Sequence, residues 1–144
     1  MVADGLPNSF APIGGKREHI NGNLPTSLSS FLGREAELQD LRDMAVNARM
    51  LTLLGPGGIG KTRLAVELAG ALEPDFPDGA WMVQLSSLER ESDPWPVFAS
   101  TLGIPLVSGA DRRVQVLDRL RDSNALLLID NCEHVLDEAH LRQP

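Results

Sequence analysis

The stretch from Gly55 to Thr62, GPGGIGKT, combines the residue types that bind phosphate. Four glycines lie within six positions, and a lysine and a threonine follow them. Glycine lets backbone N–H groups turn toward an anion and approach it closely. A lysine ammonium can reach the β- and γ-phosphates of a nucleotide, and a threonine hydroxyl can ligate Mg²⁺. The spacing G-x-x-x-x-G-K-[ST] therefore predicts a phosphate-binding loop made of Gly55, Pro56, Gly57, Gly58, Ile59, Gly60, Lys61 and Thr62.

A carboxylate for the metal ion is predicted at Asp130, which follows the apolar run ALLLI. Nucleotide sites of this kind hold their Mg²⁺ with a carboxylate at the carboxyl end of a neighbouring strand. An aspartate that ends a strand can also be a simple helix cap, so the prediction depends on the phosphate loop. Thr62 and Asp130 are the expected Mg²⁺ ligands.

The residues after Asp130 bear on hydrolysis. Asn131 has an amide, which can orient a water molecule but cannot take its proton. Glu133 is the nearest carboxylate that could act as a base, although an acid in a first helical turn is also favoured by the helix dipole. Asp130 and Glu133 are therefore the candidate catalytic residues, and hydrolysis is expected to be slow or absent.

Hydrophobic periodicity predicts the elements that position these residues. Nearly all-apolar or alternating runs predict three strands, in RMLTLLG, AWMVQLSSL and NALLLIDN. Helical spacing or capping signals predict five helices, from Gly33, over 61–72, after Asp93, near Asp111 and in EHVLDEAHL. The alternation of strand and helix predicts an α/β domain with a parallel sheet flanked by helices.

The same spacing predicts which side chains face the core. The helix from Gly33 is expected to turn Leu38, Leu41, Met44 and Ala45 to one side. The helix over 61–72 is expected to bury Leu64, Ala65, Leu68, Ala69 and Leu72. The helix near Asp111 is expected to bury Val114, Leu117 and Leu120.

Composition limits the classes of function. The chain has 144 residues, 42% of them hydrophobic, which suffices for one core, and a net charge of −7. Such an acidic chain without a basic stripe is a poor candidate for direct contact with nucleic acid. The single cysteine, the lack of a signal peptide and the shortness of the longest aliphatic run predict a cytoplasmic protein with no membrane contact. Residues 1–24 show no period and are expected to form a mobile leader.

Three stretches together resemble one family. NLPTSLSSFLGREAEL, RMLTLLGPGGIGKTRLAVELA and ALLLIDNCEHVLDEA resemble the nucleotide-binding domain of STAND-type ATPases. The most similar form is the NB-ARC-like domain of bacterial LuxR-type and SARP-type transcriptional regulators. The resemblance runs from about Asn23 to the end, and it implies a P-loop NTPase fold whose Walker B strand ends at Asp130. It also implies a module that binds ATP or ADP with Mg²⁺ and changes conformation with the nucleotide state.

The resemblance adds three candidate contacts. Leu32 and Arg34, in FLGRE, match the motif that packs beside the adenine and ribose. The same residues are also typical of a helix start with a surface arginine. Arg63 follows the phosphate loop and is a candidate phosphate contact or a solvated helix residue. The preference for adenine over guanine rests on the resemblance alone.

The resemblance also implies that residues 25–144 form only part of a domain. In this family a sensor strand lies between the strand of the phosphate loop and the Walker B strand, and further helical parts follow. None of these is recognisable here, so the domain is expected to be truncated after the Walker B strand, with a gap in its sheet. Self-association, or a partner that supplies the missing half, would then be expected. An active P-loop NTPase or kinase, and a remnant without function, remain the alternatives.

Overall fold

The computed structural model describes residues 22–26, 33–55, 60–89 and 92–132. Its helices are α1 (Glu35–Val46), α2 (Lys61–Leu72), α3 (Trp95–Leu102) and α4 (Arg112–Arg121). Its strands are β1 (Ala80–Gln84) and β2 (Leu126–Asp130), and a short 3₁₀ turn (Glu73–Asp75) follows α2. The predicted α/β class is confirmed in this form: four helices and a two-stranded parallel sheet within the described residues.

The two strands run parallel, in a register that pairs Ala80 with Leu126 and Gln84 with Asp130. Both carboxyl ends therefore lie at the same edge of the sheet. The first four residues of β1 are buried, as expected for a strand covered on both faces. The pairing continues past the strand end, because the Leu85 amide donates to the Asp130 carbonyl at 3.1 Å.

The outer edge of β1 is closed by Gly22 and Asn23. The Asn23 side chain bonds both backbone groups of Met82, donating from Nδ2 to the carbonyl oxygen at 3.0 Å and accepting from the amide. Gly22 forms an isolated parallel β-bridge with Ala80. A Cβ at this glycine would overlap the Ala80 carbonyl oxygen. This short segment thus takes the place of a further strand.

The main core lies between the sheet and the two helices that connect its strands. Its buried members are Trp81, Val83, Leu85, Phe98, Ala99, Leu102, Ile104 and Val116. Asp93 accepts from the Trp95 amide at 3.0 Å and Asp111 from the Val114 amide at 3.1 Å, so each connecting helix begins beside a carboxylate. The helix predicted after Asp93 begins at Trp95, and Pro94 occupies the cap position.

Helix α2 buries Leu64, Leu68, Ala69 and Leu72, as its spacing predicts, whereas Ala65, also predicted to be buried, is half-buried. On α4, by contrast, the predicted inward face is wrong in part. Val116 is fully buried and Leu120 half-buried, whereas Val114 and Leu117 are exposed. Val116 and Leu120 are one helical turn apart, so they define the face that packs. On α1 Met44 is likewise exposed, and that helix has no fully buried residue.

The prediction of a strand in RMLTLLG is also wrong. Residues 51–55 have no regular secondary structure, and Met50 and Leu54 are largely exposed. A strand requires a hydrogen-bonded neighbour, and the sheet of the described residues consists of β1 and β2 alone. The segment therefore approaches the phosphate loop without a ladder partner among those residues.

Several predictions fall outside the described residues. They concern most of the leader, Leu32, the loop positions Pro56, Gly57, Gly58 and Ile59, Glu133 and the helix expected in EHVLDEAHL. No helix of the described ranges is long and apolar enough to cross a membrane.

Candidate functional site

The first turn of α2 and the end of β2 meet at a single contact. The Thr62 hydroxyl lies 3.1 Å from Oδ1 of Asp130 and 3.3 Å from Oδ2, although 68 positions separate the two residues. Parallel strands place their carboxyl ends at one edge of a sheet, and α2 begins beside that edge. The two residues predicted from sequence as Mg²⁺ ligands are thus neighbours in space.

Lys61 contacts the first residue of the predicted phosphate loop. Its Nζ donates to the carbonyl oxygen of Gly55 at 2.6 Å, so the ammonium lies at the first residue of the loop while its backbone begins α2. The described ends of the loop, Gly55 and Gly60, are therefore tied together by the motif lysine. This places a positive charge beside the loop.

Gly60 turns the chain into α2 with a φ of 80°, in the left-handed region that favours glycine. The cap residue at the amino end of α2 is Gly60, which has no side chain to bond the first-turn N–H groups. The first-turn N–H groups of a helix have no partners within the helix, and together with the helix dipole they favour an anion. The amino end of α2 thus has the chemistry that phosphate requires.

Arg34 lies against this turn. A Cβ built on Gly60 would lie 3.3 Å from Nη1 of Arg34, so the guanidinium covers the end of the loop. Two bonds to Glu37, at 2.7 and 2.8 Å, hold the guanidinium. The hydrogen bond from Arg34 lowers the pKa of the Glu37 carboxyl. The structure thus brings Arg34 to the loop, whereas its predicted contact with a base remains a prediction.

Arg63 is exposed on the first turn of α2. Among the described residues there is no group of three or more His, Cys, Asp or Glu side chains that could hold a metal ion. The carboxylate of Asp130 and the hydroxyl of Thr62, which contact each other, are oxygen ligands beside the loop. Mg²⁺ commonly takes one or two carboxylates, and phosphate oxygens and water complete its shell, so this small set fits the ion.

Asn131 has a feature that sequence reasoning missed. It has a φ of 55°, and its Nδ2 donates to Oδ2 of Asp130 at 3.2 Å. The residue type alone indicates only how the amide could interact with water. A signal was nevertheless present, because asparagine is enriched among the non-glycine residues that adopt positive φ.

The chain is similar to proteins of actinobacteria. It is 33% identical over 131 residues to an uncharacterised protein of Mycobacterium tuberculosis, a match that covers 90% of this chain and 33% of the relative. It is 33% identical over 97 residues to a second M. tuberculosis protein, provisionally named an HTH-type transcriptional regulator, covering 67% of this chain and 11% of that protein. Over 90 residues it is 36% identical to the regulatory protein AfsR of Streptomyces coelicolor, covering 55% of this chain and 9% of AfsR.

These matches define a partial relationship. The chain spans about a third of the length of the uncharacterised mycobacterial relatives and a much smaller share of the named regulators. No protein-family model matches it, and no solved structure matches it significantly. The chain is thus distantly similar to segments of AfsR and of HTH-type regulators.

Proposed function

We propose that this chain binds ATP or ADP together with Mg²⁺ and acts as the nucleotide-dependent switch of a transcriptional regulator. The contact between Thr62 and Asp130 carries the proposal. It joins the last residue of the loop motif to the end of an apolar strand, as a P-loop site requires. A flexible glycine turn with a surface lysine would not need this contact.

Three sets of groups would contribute to nucleotide binding. The backbone of the glycine loop and the amino end of α2 would hold the phosphates, and the Lys61 ammonium would neutralise their charge. Thr62 and Asp130 would hold Mg²⁺, which would neutralise part of the negative charge of the phosphates. Arg34, whose guanidinium lies near Gly60, would contact the ribose or base.

The surroundings of Asp130 favour binding over rapid turnover. The Asn131 amide donates to the Asp130 carboxylate. An amide cannot serve as a general base, and losing such a base costs about 10²- to 10⁴-fold in rate. Weak or absent hydrolysis fits a switch better than an enzyme that turns over continuously.

The regulatory part of the proposal is supported by the relatives. Two of the named proteins with similar segments are a provisional HTH-type transcriptional regulator and AfsR, a regulatory protein. The net charge of −7 makes this segment unsuited to direct contact with DNA. In such an assignment the chain contributes nucleotide sensing, and other segments contact DNA.

Titration of the chain with ATP and Mg²⁺ by calorimetry tests the phosphate site. The variant is Lys61→Ala, and the control is Lys16→Ala, since these are the only lysines in the chain. Loss of a charge-assisted contact is expected to weaken binding about 10- to 150-fold for Lys61→Ala and not for the control. Equal affinity of wild type and Lys61→Ala would refute the phosphate site.

A further inference from the structure

Asn131 departs from the backbone conformation of its neighbours. Among the described residues it is the one non-glycine residue with a positive φ, 55°, and it directly follows β2. For most side chains the left-handed region costs about 1–2 kcal/mol, and asparagine enters it more readily than others. Strain of this kind persists where the surrounding structure requires it, and such sites often serve function.

The turn places the Asn131 amide beside the carboxylate that precedes it. Nδ2 lies 3.2 Å from Oδ2 of Asp130, and the Thr62 hydroxyl lies 3.1 Å from Oδ1 of the same group. The two oxygens therefore have donors from two different segments. A carboxylate held at both oxygens has less rotational freedom than one held by Thr62 alone.

Glycine, alanine and aspartate each lack at least one of these two features at this position. Glycine accepts the positive φ but has no amide. Alanine lacks the amide and is disfavoured in the left-handed region. Aspartate tolerates the backbone but would replace the donor with a like charge beside Asp130. The backbone conformation and the hydrogen bond together account for asparagine here.

We propose that Asn131 is a positioning residue that fixes the Asp130 carboxylate against Thr62 and so raises the Mg²⁺-dependent part of nucleotide affinity. This inference rests on the function proposed above. Asn131 contacts neither nucleotide nor metal in this assignment, and acts through Asp130. Asn131 therefore affects nucleotide affinity only when Mg²⁺ is present, because only then does the Asp130 carboxylate hold the metal ion.

The test compares ADP affinity in Mg²⁺ with ADP affinity in EDTA, using the full 144-residue chain. The gain in affinity from Mg²⁺ is measured for wild type, for Asn131→Gly, which retains the backbone freedom and loses the amide, and for Asn131→Ala. Asn47→Gly serves as a matched control, because Asn47 is exposed at the end of α1. Thermal unfolding is recorded for each variant.

Because Asn131→Gly loses one hydrogen bond, we expect its gain in ADP affinity from Mg²⁺ to be about 2- to 10-fold smaller than that of wild type. Its ADP affinity in EDTA should be unchanged. Asn131→Ala should show the same loss and a lower melting temperature. The inference is overturned if Asn131→Gly retains the full gain, or if it loses affinity equally in Mg²⁺ and EDTA. A wild-type chain that binds ADP without any Mg²⁺ gain would overturn the inference and the proposed metal site together. A wild-type gain that survives in Asn131→Gly would overturn the inference alone.

Discussion

The sheet region (residues 80–89 and 92–132) and the loop region (33–55 and 60–72) differ in how far their apolar side chains are covered. The four largest fully buried side chains, Leu85, Leu102, Val83 and Val116, all belong to the sheet region. In the loop region α2 supplies all the buried side chains and α1 has none, and Met44, Val46, Met50 and Leu54 are 57–87% exposed, against 37–68% for the exposed large apolar side chains of the sheet region, Val107, Val114, Leu117 and Ile129. The sheet region thus provides most of the core, while the loop region holds the groups that would contact the nucleotide.

The difference suggests how the two regions share their tasks. A close-packed core holds β2 and therefore the backbone of Asp130 in place. The loop region meets that strand through α2 and through the contact between Thr62 and Asp130. A nucleotide that bridges the loop and Asp130 would therefore act where the two regions meet. This is the arrangement expected of a ligand-dependent switch.

The largest expected effect is on the core of the sheet region. Leu102→Ala removes a side chain with no exposed area, and should lower the free energy of unfolding by about 2–5 kcal/mol. Leu54→Ala, in the loop region, removes the same atoms from a side chain that is 87% exposed, and should change stability by less than about 0.5 kcal/mol. Urea unfolding measures both. Equal losses would show that the two regions do not differ as described.

A smaller effect is expected at the outer edge of β1. Asn23→Ala removes both side-chain bonds to Met82 and leaves the backbone groups of a buried strand without them. The expected loss is about 1–3 kcal/mol, together with greater aggregation, because a free strand edge can pair with another chain. Urea unfolding and light scattering check this, with Asn47→Ala as the exposed control. Unchanged stability and scattering would mean that Asn23 does not close the edge.

Sequence reasoning predicted the sheet region well. The strands at Ala80–Gln84 and Leu126–Asp130 and the helices after Asp93 and Asp111 follow from apolar runs and capping residues, which are local signals. The phosphate loop and the Mg²⁺ role of Asp130 stay predictions, which rest on particular residue types at fixed spacing. The sequence led us to expect Thr62 and Asp130 to meet because each would follow a parallel strand; the contact is present, although residues 51–55 before the loop do not form a strand.

Other features could not be predicted because they depend on neighbours distant in sequence. Residues 51–55 have the composition of a strand, yet the described sheet gives them no partner. Val114 and Leu117 fit a helical period as well as Val116 and Leu120 do, and packing against the sheet selects the second pair. The hydrogen bonds between the Asn23 side chain and the Met82 backbone join residues 59 positions apart, and no local sequence pattern indicates them.

The smallest predicted effect concerns Glu73, at the end of α2. Burial raises the pKa of its carboxyl, and Oε1 has no hydrogen-bond partner among the described residues. The folded chain therefore holds this proton to higher pH than the unfolded chain does. The stabilising contribution is complete below the unfolded pKa and is lost as pH rises through the folded pKa.

Glu73→Gln removes this titration and should raise the melting temperature slightly at pH 7, with little change at pH 4. Melting curves across this range check the prediction, and Glu89→Gln, at an exposed position, is the control. A variant whose melting temperature falls at pH 7 would show that the Glu73 carboxylate is stabilised by its surroundings rather than desolvated.

The most direct test of the account is the Mg²⁺ dependence of ADP binding in wild type and Asp130→Asn. Asparagine preserves the shape of the side chain and an oxygen that can accept from Thr62, but it removes the charge that holds Mg²⁺. The account predicts that Mg²⁺ strengthens ADP binding to wild type, and that most of this gain, about 10-fold or more, is lost in Asp130→Asn while binding in EDTA is retained. A wild-type chain that binds ADP equally with and without Mg²⁺, or an Asp130→Asn variant that keeps the full gain, would contradict it.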